Sequence, residues 1–172
     1  MSGAEQRLIE GLLLDAELSG VGLNASKREE FTQISQDLSQ QETQFANNVL
    51  DSTKAFELIL EDEKDCVGLT ESFLEMAQAT YKNRHPDISL PKWSVTLDGP
   101  SVMGFLENSS RRDLREHVYR GFVTRASEKE YDNFAHILKI LQLRQQKAKM
   151  LGYEKTFQQI VQVGGRAGRR DG

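Results

Sequence analysis

Residues 26–55, SKREEFTQISQDLSQQETQFANNVLDSTKA, decide the fold. Within them Phe31, Ile34, Leu38, Phe45 and Val49 step by three, four, seven and four, which keeps all five on one face of a 3.6-residue period. The stretch reads as one long helix, a spine against which the segments before and after it pack. Ser26 and Glu29 have capping-box spacing: the hydroxyl would accept the third backbone N–H of the helix and the carboxylate would reach back to the cap. At about 1.5 Å per residue the helix would run on the order of 45 Å, more than a compact domain of this size covers, so the spine belongs to an extended array.

Outward on the N-terminal side, Leu8, Ile9, Leu12, Leu13 and Ala16 make the apolar face of a first helix, which Gly20 and Gly22 would end. Leu18 to Leu23 is then a short turn, which folds the first helix and the spine into an antiparallel hairpin. Past the spine the period changes. Phe56, Leu58 and Leu60 alternate with Glu57, Ile59 and Glu61 in the two-residue period of a strand, and Asp62 to Asp65 is a charged turn.

Thr70 or Ser72 can cap a helix from Glu71 to about Tyr81, with Phe73, Leu74, Met76 and Ala77 on its apolar side and His85-Pro86 ending it. Trp93, Val95 and Leu97 alternate again, so two strands flank one helix in a mostly helical chain and are best paired as a ribbon, with Pro91 at the start of its strand. Asp98-Gly-Pro is a turn leading to a short helix over Ser101 to Glu107. Ser110 with Asp113 starts another, with Leu114, Val118, Phe122 and Val123 on its buried face up to about Ala126. Asp132 begins the last helix, with Phe134, Ile137, Leu138, Leu141 and Leu143 inside. Arg144, Lys147 and Lys149 sit in its favourable basic end and Gly152 caps it.

The expected fold class is therefore mainly α: an elongated helical hairpin and bundle array with one small two-stranded β-ribbon. No fixed-period repeat is present and no domain boundary is visible before residue 155. Gln158 to Val163 mixes apolar and polar residues without clear period. Residues 164–172 are glycine and arginine with nothing to bury, and read as disordered.

With 38% apolar and 28% charged residues over 172, the chain is an ordinary soluble type with enough mass for one core. A net charge of −4 gives the body no electrostatic reason to seek nucleic acid or anionic membrane. The longest apolar run, Leu12 to Leu14, is far too short to span a bilayer. The N-terminus enters a helix pattern at once and resembles neither a signal nor a transit peptide, so the expected compartment is cytoplasmic, or an organelle interior if a leader was removed. Cys66 is the single cysteine; lacking an evident base beside it, it reads as a small buried bystander.

The histidines are the first candidates for a metal or a base. His85 precedes a proline, His117 and His136 lie on helices, and the residues four positions after the latter two are Gly121 and Ile140, so none has a second ligand at helical spacing. Surface or interhelical histidine is the favoured reading. Glu29-Glu30, Glu61 to Glu63 and Glu128 to Glu130 are solvated charge clusters rather than acid and base pairs. In the run Arg111, Arg112, Arg115, Arg120 and Arg125, the positions of Arg120 and Arg125 beside apolar residues suggest burial of one or both, paired with an acid from a neighbouring helix. Gly164, Gly165 and Gly168 resemble a phosphate loop only superficially. Arg166, Arg169 and Arg170 allow at most weak RNA affinity, so nucleic acid is not an expected partner. No catalytic, cofactor-binding or metal-binding residue is assigned.

Several long stretches resemble one family in order: Asp15-Ala-Glu-Leu-Ser-Gly-Val-Gly-Leu, Phe45-Ala-Asn-Asn-Val-Leu-Asp-Ser-Thr-Lys-Ala-Phe, Trp93-Ser-Val-Thr-Leu-Asp-Gly-Pro-Ser, Tyr119-Arg-Gly-Phe-Val-Thr-Arg-Ala-Ser, Asp132-Asn, Ile140-Leu-Gln-Leu-Arg and Leu151-Gly-Tyr. The family is the thimet oligopeptidase family of zinc metallopeptidases, in its oligopeptidase A branch, and the resemblance covers residues 4 to 154. It implies a mostly helical protein whose full-length relatives cut short peptides with one zinc ion. There the metal is held by the histidines of a His-Glu-x-x-His helix and a downstream Glu, and the motif's Glu activates water. No position of this sequence matches those residues. The resemblance thus implies that residues 1–154 are the family's N-terminal helical lobe without the catalytic half, and that residues 155–172 are a divergent tail. On that reading the chain holds no zinc of its own and is inactive alone. The alternative is a helical module that binds peptides or modulates a full-length relative.

Overall fold

The computed structural model of the protein describes residues 3–88 and 92–154. The expectations for Pro91 and for the whole of residues 155–172 lie outside the described residues. In chain order the elements are α1 (Gly3–Leu18), α2 (Ala25–Ala55), β1 (Leu58–Leu60), α3 (Glu71–Arg84), β2 (Trp93–Val95), α4 (Gly99–Asn108), α5 (Arg112–Val123) and α6 (Phe134–Met150). Short 3-10 turns lie at Glu63–Cys66 and Lys129–Tyr131. Among the described residues the protein is mainly α with one small two-stranded sheet, as the periodicities predicted. The chain divides into two compact units, one formed by residues 1–45 and 135–172 and the other by residues 46–134.

The second unit is organised around the ribbon. β1 and β2 pair antiparallel with Leu58 opposite Val95, Ile59 opposite Ser94 and Leu60 opposite Trp93. α3 packs on β2 and on α4, and α4 packs on α5. Leu60, Val95, Val102, Phe105 and Val118 are fully buried, with Phe73, Ala77 and Leu97 around them and the rings of Phe73 and Phe105 tilted at 6.2 Å.

The alternation from Trp93 to Leu97 predicted one wet face, yet Ser94 and Thr96 are buried as deeply as their apolar neighbours. Their polar atoms have partners there. The Ser94 hydroxyl donates to the Glu57 carboxylate, the Thr96 hydroxyl donates to Asp98 Oδ2 at 2.9 Å, and the Thr96 N–H donates to Ser101 Oγ at 2.9 Å. Satisfied in this way, they do not carry the desolvation cost of a buried unpaired polar group.

Helix ends follow local chemistry. Thr70 Oγ1 accepts from the Phe73 N–H at 3.3 Å and caps α3, which runs to Arg84 before His85-Pro86. The cap of the spine sits two residues earlier than the capping box implied: Asn24 Oδ1 accepts from Lys27 N–H at 3.0 Å, so Asn24 takes the role assigned to Ser26. Arg111 is the residue before α5 and makes no side-chain cap bond, so the Ser110 and Asp113 box is likewise absent. Gly20 (φ +83°) follows α1, and Gly152 (φ +86°) ends α6, where Tyr153 N–H donates to Ala148 O and Gly152 N–H to Lys149 O, a Schellman closure.

The predicted buried faces of α1 and α6 are corrected. Leu8, Ile9, Leu12 and Leu13 are exposed, and on α1 only Leu14 is buried. On α6, Phe134, Ile137, Leu138 and Leu141 are exposed while Ile140, Leu143 and Ala148 are buried. Hydrophobicity marked a face that gains by burial, but the contact with α2 is made by a mixed face of α6. Within the first unit His136 Nδ1 donates to Gln41 Oε1 at 2.8 Å, Arg144 pairs with Glu42, and Lys147 Nζ lies 4.9 Å from the centre of the Phe31 ring. Val123 is also exposed, because it stands about 100° around α5 from Phe122 and outside the row of Leu114, Val118 and Phe122.

Gly68 has φ +90°, and an added Cβ would run into the Asn108 carbonyl, held close because Ser110 N–H donates to Val67 O at 2.8 Å. Gly68→Ala combines a left-handed backbone with a clash against main chain, so chemical denaturation should show a loss exceeding about 1 kcal/mol. An unchanged midpoint would contradict this close approach.

Candidate functional site

The three histidines are held apart by separate partners. His85 Nε2 is 3.1 Å from Glu57 Oε2, and its ring lies 4.7 Å from that of Tyr81. His117 lies against Phe56, with ring centres 5.4 Å apart, and His136 is bonded to Gln41. Among the described residues no three His, Cys, Asp or Glu side chains come together as a metal would require.

Glu57 gathers a polar cluster that the sequence reading missed. Beside His85 and Ser94, its Oε2 is 3.9 Å from Arg84 Nη1, and the Arg84 guanidinium also donates to the carbonyls of Phe56 and Lys54. The carboxylate bonds both the Ser94 hydroxyl and the His85 imidazole. The group ties the start of β1 to β2 and to the end of α3. A second missed contact is the buried pair Asn48 and Asn133, joined at 2.9 Å from Nδ2 to Oδ1. Asn48 breaks the apolar row of α2, a signal that could have found it.

The arginine expectation is also corrected. Arg120 is exposed and pairs with Glu116 on its own helix, one turn back, where water solvates both; Arg125 stacks on Phe122 at 4.2 Å. Within that run the arginine that reaches across elements is Arg111, which binds Asp65 and forms a fork with Asp113. That fork holds the Asp113 carboxyl down at about 2. Cys66 is buried, and burial followed by the charges of Asp65 and Glu63 pushes its thiol upward. Such a thiol is a poor nucleophile.

Part of the exposed surface is apolar. Leu8, Ile9, Leu12 and Leu13 form one stripe on α1, and Phe134, Ile137, Leu138 and Leu141 form another on α6. Bordering the second stripe is an open groove of about 300 Å³ lined by Glu42, Phe45, Ile137, Ile140, Leu141 and Arg144. Continuous apolar stripes of this kind are candidates for interaction faces.

Comparison with known proteins places the chain in a family. Residues 105–162 match the model of peptidase family M3. The chain is 44% identical to the probable cytosolic oligopeptidase A of Arabidopsis thaliana over 156 residues, which are 89% of this chain and 22% of that protein. It is 43% identical to the organellar, chloroplastic/mitochondrial oligopeptidase A of the same plant (89% and 20%) and 38% identical to oligopeptidase A of Haemophilus influenzae (87% and 22%). The chain belongs to the thimet oligopeptidase family of metallopeptidases. Within that family it lies on the oligopeptidase A branch. It spans about a fifth of the length of the curated relatives it matches. Those relatives include one named cytosolic and one named organellar, and among the described residues no helix is long and apolar enough to cross a membrane.

The Arg111 fork yields a pH test. A carboxyl held at about 2 rather than 3.8 contributes stability that is present above pH 3.8 and lost as the pH falls through 2. In Arg111→Ala, carbon-detected titration should show Asp113 moving back toward 3.8, with acid unfolding beginning at higher pH. An unmoved carboxyl would mean that the fork does not hold it.

Proposed function

We propose that this chain is the helical lobe of an oligopeptidase A-like zinc metallo-endopeptidase, that it holds no zinc, and that by itself it does not hydrolyse peptides. The observation that carries the reading is identity of 33–44% over most of the chain to proteins named oligopeptidase A, in a sequence without a His-Glu-x-x-His stretch. Zinc in such enzymes supplies a polarising charge and an activated water. The side chains described here supply packing, caps and ion pairs instead. Short peptides are the substrates proposed for the complete enzyme, and the compartment proposed is the cytoplasm, with an organelle interior as the alternative.

The α1 stripe favours a second role, binding to a full-length relative. Leu8, Leu12 and Leu13 are each about three-fifths exposed, and covering them would gain roughly 25 cal/mol for each Å² removed from water. The surface that suits them belongs to the remainder of an oligopeptidase, since the curated relatives are four to five times as long as this match. The chain's role is then to dock on that remainder and alter its turnover.

A quenched fluorescent peptide tests both roles. The purified chain should be silent with zinc present, while a full-length oligopeptidase A should cleave and respond to a chelator. Adding the chain should change the relative's rate, and Leu12→Asp should remove that effect. Chelator-sensitive cleavage by the chain alone would overturn the first role, and a relative indifferent to the chain would overturn the second.

A further inference from the structure

The outer face of α5 carries two cations that no neighbouring acid neutralises. Residues 109–126 hold five arginines and two acids. Arg111 takes Asp113 and Arg120 takes Glu116, so both acids are engaged, and Arg125 stacks on the Phe122 ring. Arg112 and Arg115 make no ion pair or side-chain hydrogen bond among the described residues, and the nearest acid before them in the chain, Glu107, is joined to neither. Arg112, Arg115, Tyr119 and Val123 step by three, four and four, which gathers them within about 80° of the helix circumference. Tyr119 and Val123 are 55% and 54% exposed, well round the helix from buried Val118. The row thus opens on two free guanidinium groups at the N-terminal end of α5 and closes on an aromatic ring and a branched aliphatic side chain.

We propose that this row is a docking surface for a short acidic segment of another protein, with carboxylates on Arg112 and Arg115 and an apolar side chain on Tyr119 and Val123. Charge decides the occupant. Guanidinium forks match carboxylates in shape as well as in sign, and the N–H end of α5 adds to the attraction at the same place. Nucleic acid fits less well, because its phosphates repeat along the whole strand, whereas here two cations give way to apolar side chains on a chain of net charge −4. From Arg112 to Val123 is about 16 Å of helix, the reach of about five extended residues. A segment with acids at one end and Leu or Phe a few residues on therefore meets both halves of the row. This inference is independent of the peptidase reading and of the α1 stripe: it concerns binding by a different helix and needs no catalytic half.

Fluorescence anisotropy of a fluorescein-labelled peptide, Gly-Asp-Asp-Glu-Gly-Phe-Leu-Gly, titrated with the full chain tests it. The peptide should bind, and more weakly as salt rises from about 50 to about 200 mM, since exposed charge pairs are screened. Arg112→Glu with Arg115→Glu should weaken binding about tenfold, while Lys82→Glu with Lys139→Glu, an equal change in net charge elsewhere, should leave it within about twofold. The thermal midpoint of the arginine variant should match the parent's, because neither side chain has a partner to lose. Tyr119→Ser, which leaves the charges alone, should weaken this peptide and not a version with Gly in place of Phe and Leu. No binding by the parent, equal losses in the two charge variants, or indifference to Tyr119→Ser would overturn the proposal. So would tighter binding of a single-stranded oligonucleotide than of the peptide, which would assign the row to nucleic acid, or self-association abolished by the arginine variant, which would assign it to a second copy.

Discussion

The pairing of Leu58–Leu60 with Trp93–Val95 is the constraint on which the larger unit depends. Two strands of three residues have little stability of their own, and a lone ribbon of this size would not persist in water. It persists because both of its faces are covered. Leu60 and Val95 are fully buried in a core shared with α3, α4 and α5, and Ser94 and Thr96 on the other register are buried against polar partners. The partners matter as much as the core. Glu57, Asp98 and Ser101 accept the hydrogen bonds that let a polar strand face leave water, and Glu57 in turn holds His85 and approaches Arg84 at the end of α3.

The sequence declared its elements clearly and their environments less so. The change from a 3.6-residue to a two-residue period after Ala55, and its return at Trp93, was enough to place both strands and pair them, because the two segments flank one helix. Gly152 was equally legible, since a glycine after a basic helical turn has few other uses. The spine's cap was misplaced by two residues because Asn24 and Ser26 are both good caps and the sequence alone does not rank them. The exposed rows of α1 and α6 had a deeper cause. Periodicity reports which side chains share a face, but burial depends on what lies opposite. On α6 the face turned to α2 is one where His136, Arg144 and Lys147 find Gln41, Glu42 and Phe31.

The chemistry of the chain follows the same division. Its titratable side chains are used in pairs and caps: Glu57 with His85, Arg111 with Asp65 and Asp113, Asp62 with Lys64, Lys92 with Glu61. Each of these ties one local feature to another. The Glu57 cluster was not readable from the sequence, because its members come from residues 57, 84, 85 and 94 and meet only when the ribbon forms. Membership of the oligopeptidase A branch is consistent with a segment devoted to helical scaffold and apolar faces. On the function proposed for it, the reacting groups belong to the part of the enzyme that this segment does not supply.

Equilibrium dialysis of the purified chain against zinc at neutral pH tests the central claim most directly. The account predicts no retained zinc beyond weak, non-stoichiometric uptake at surface carboxylates and histidines, the same for the parent and for a variant lacking His85, His117 and His136. One zinc held per chain in the parent and lost in that variant would contradict it.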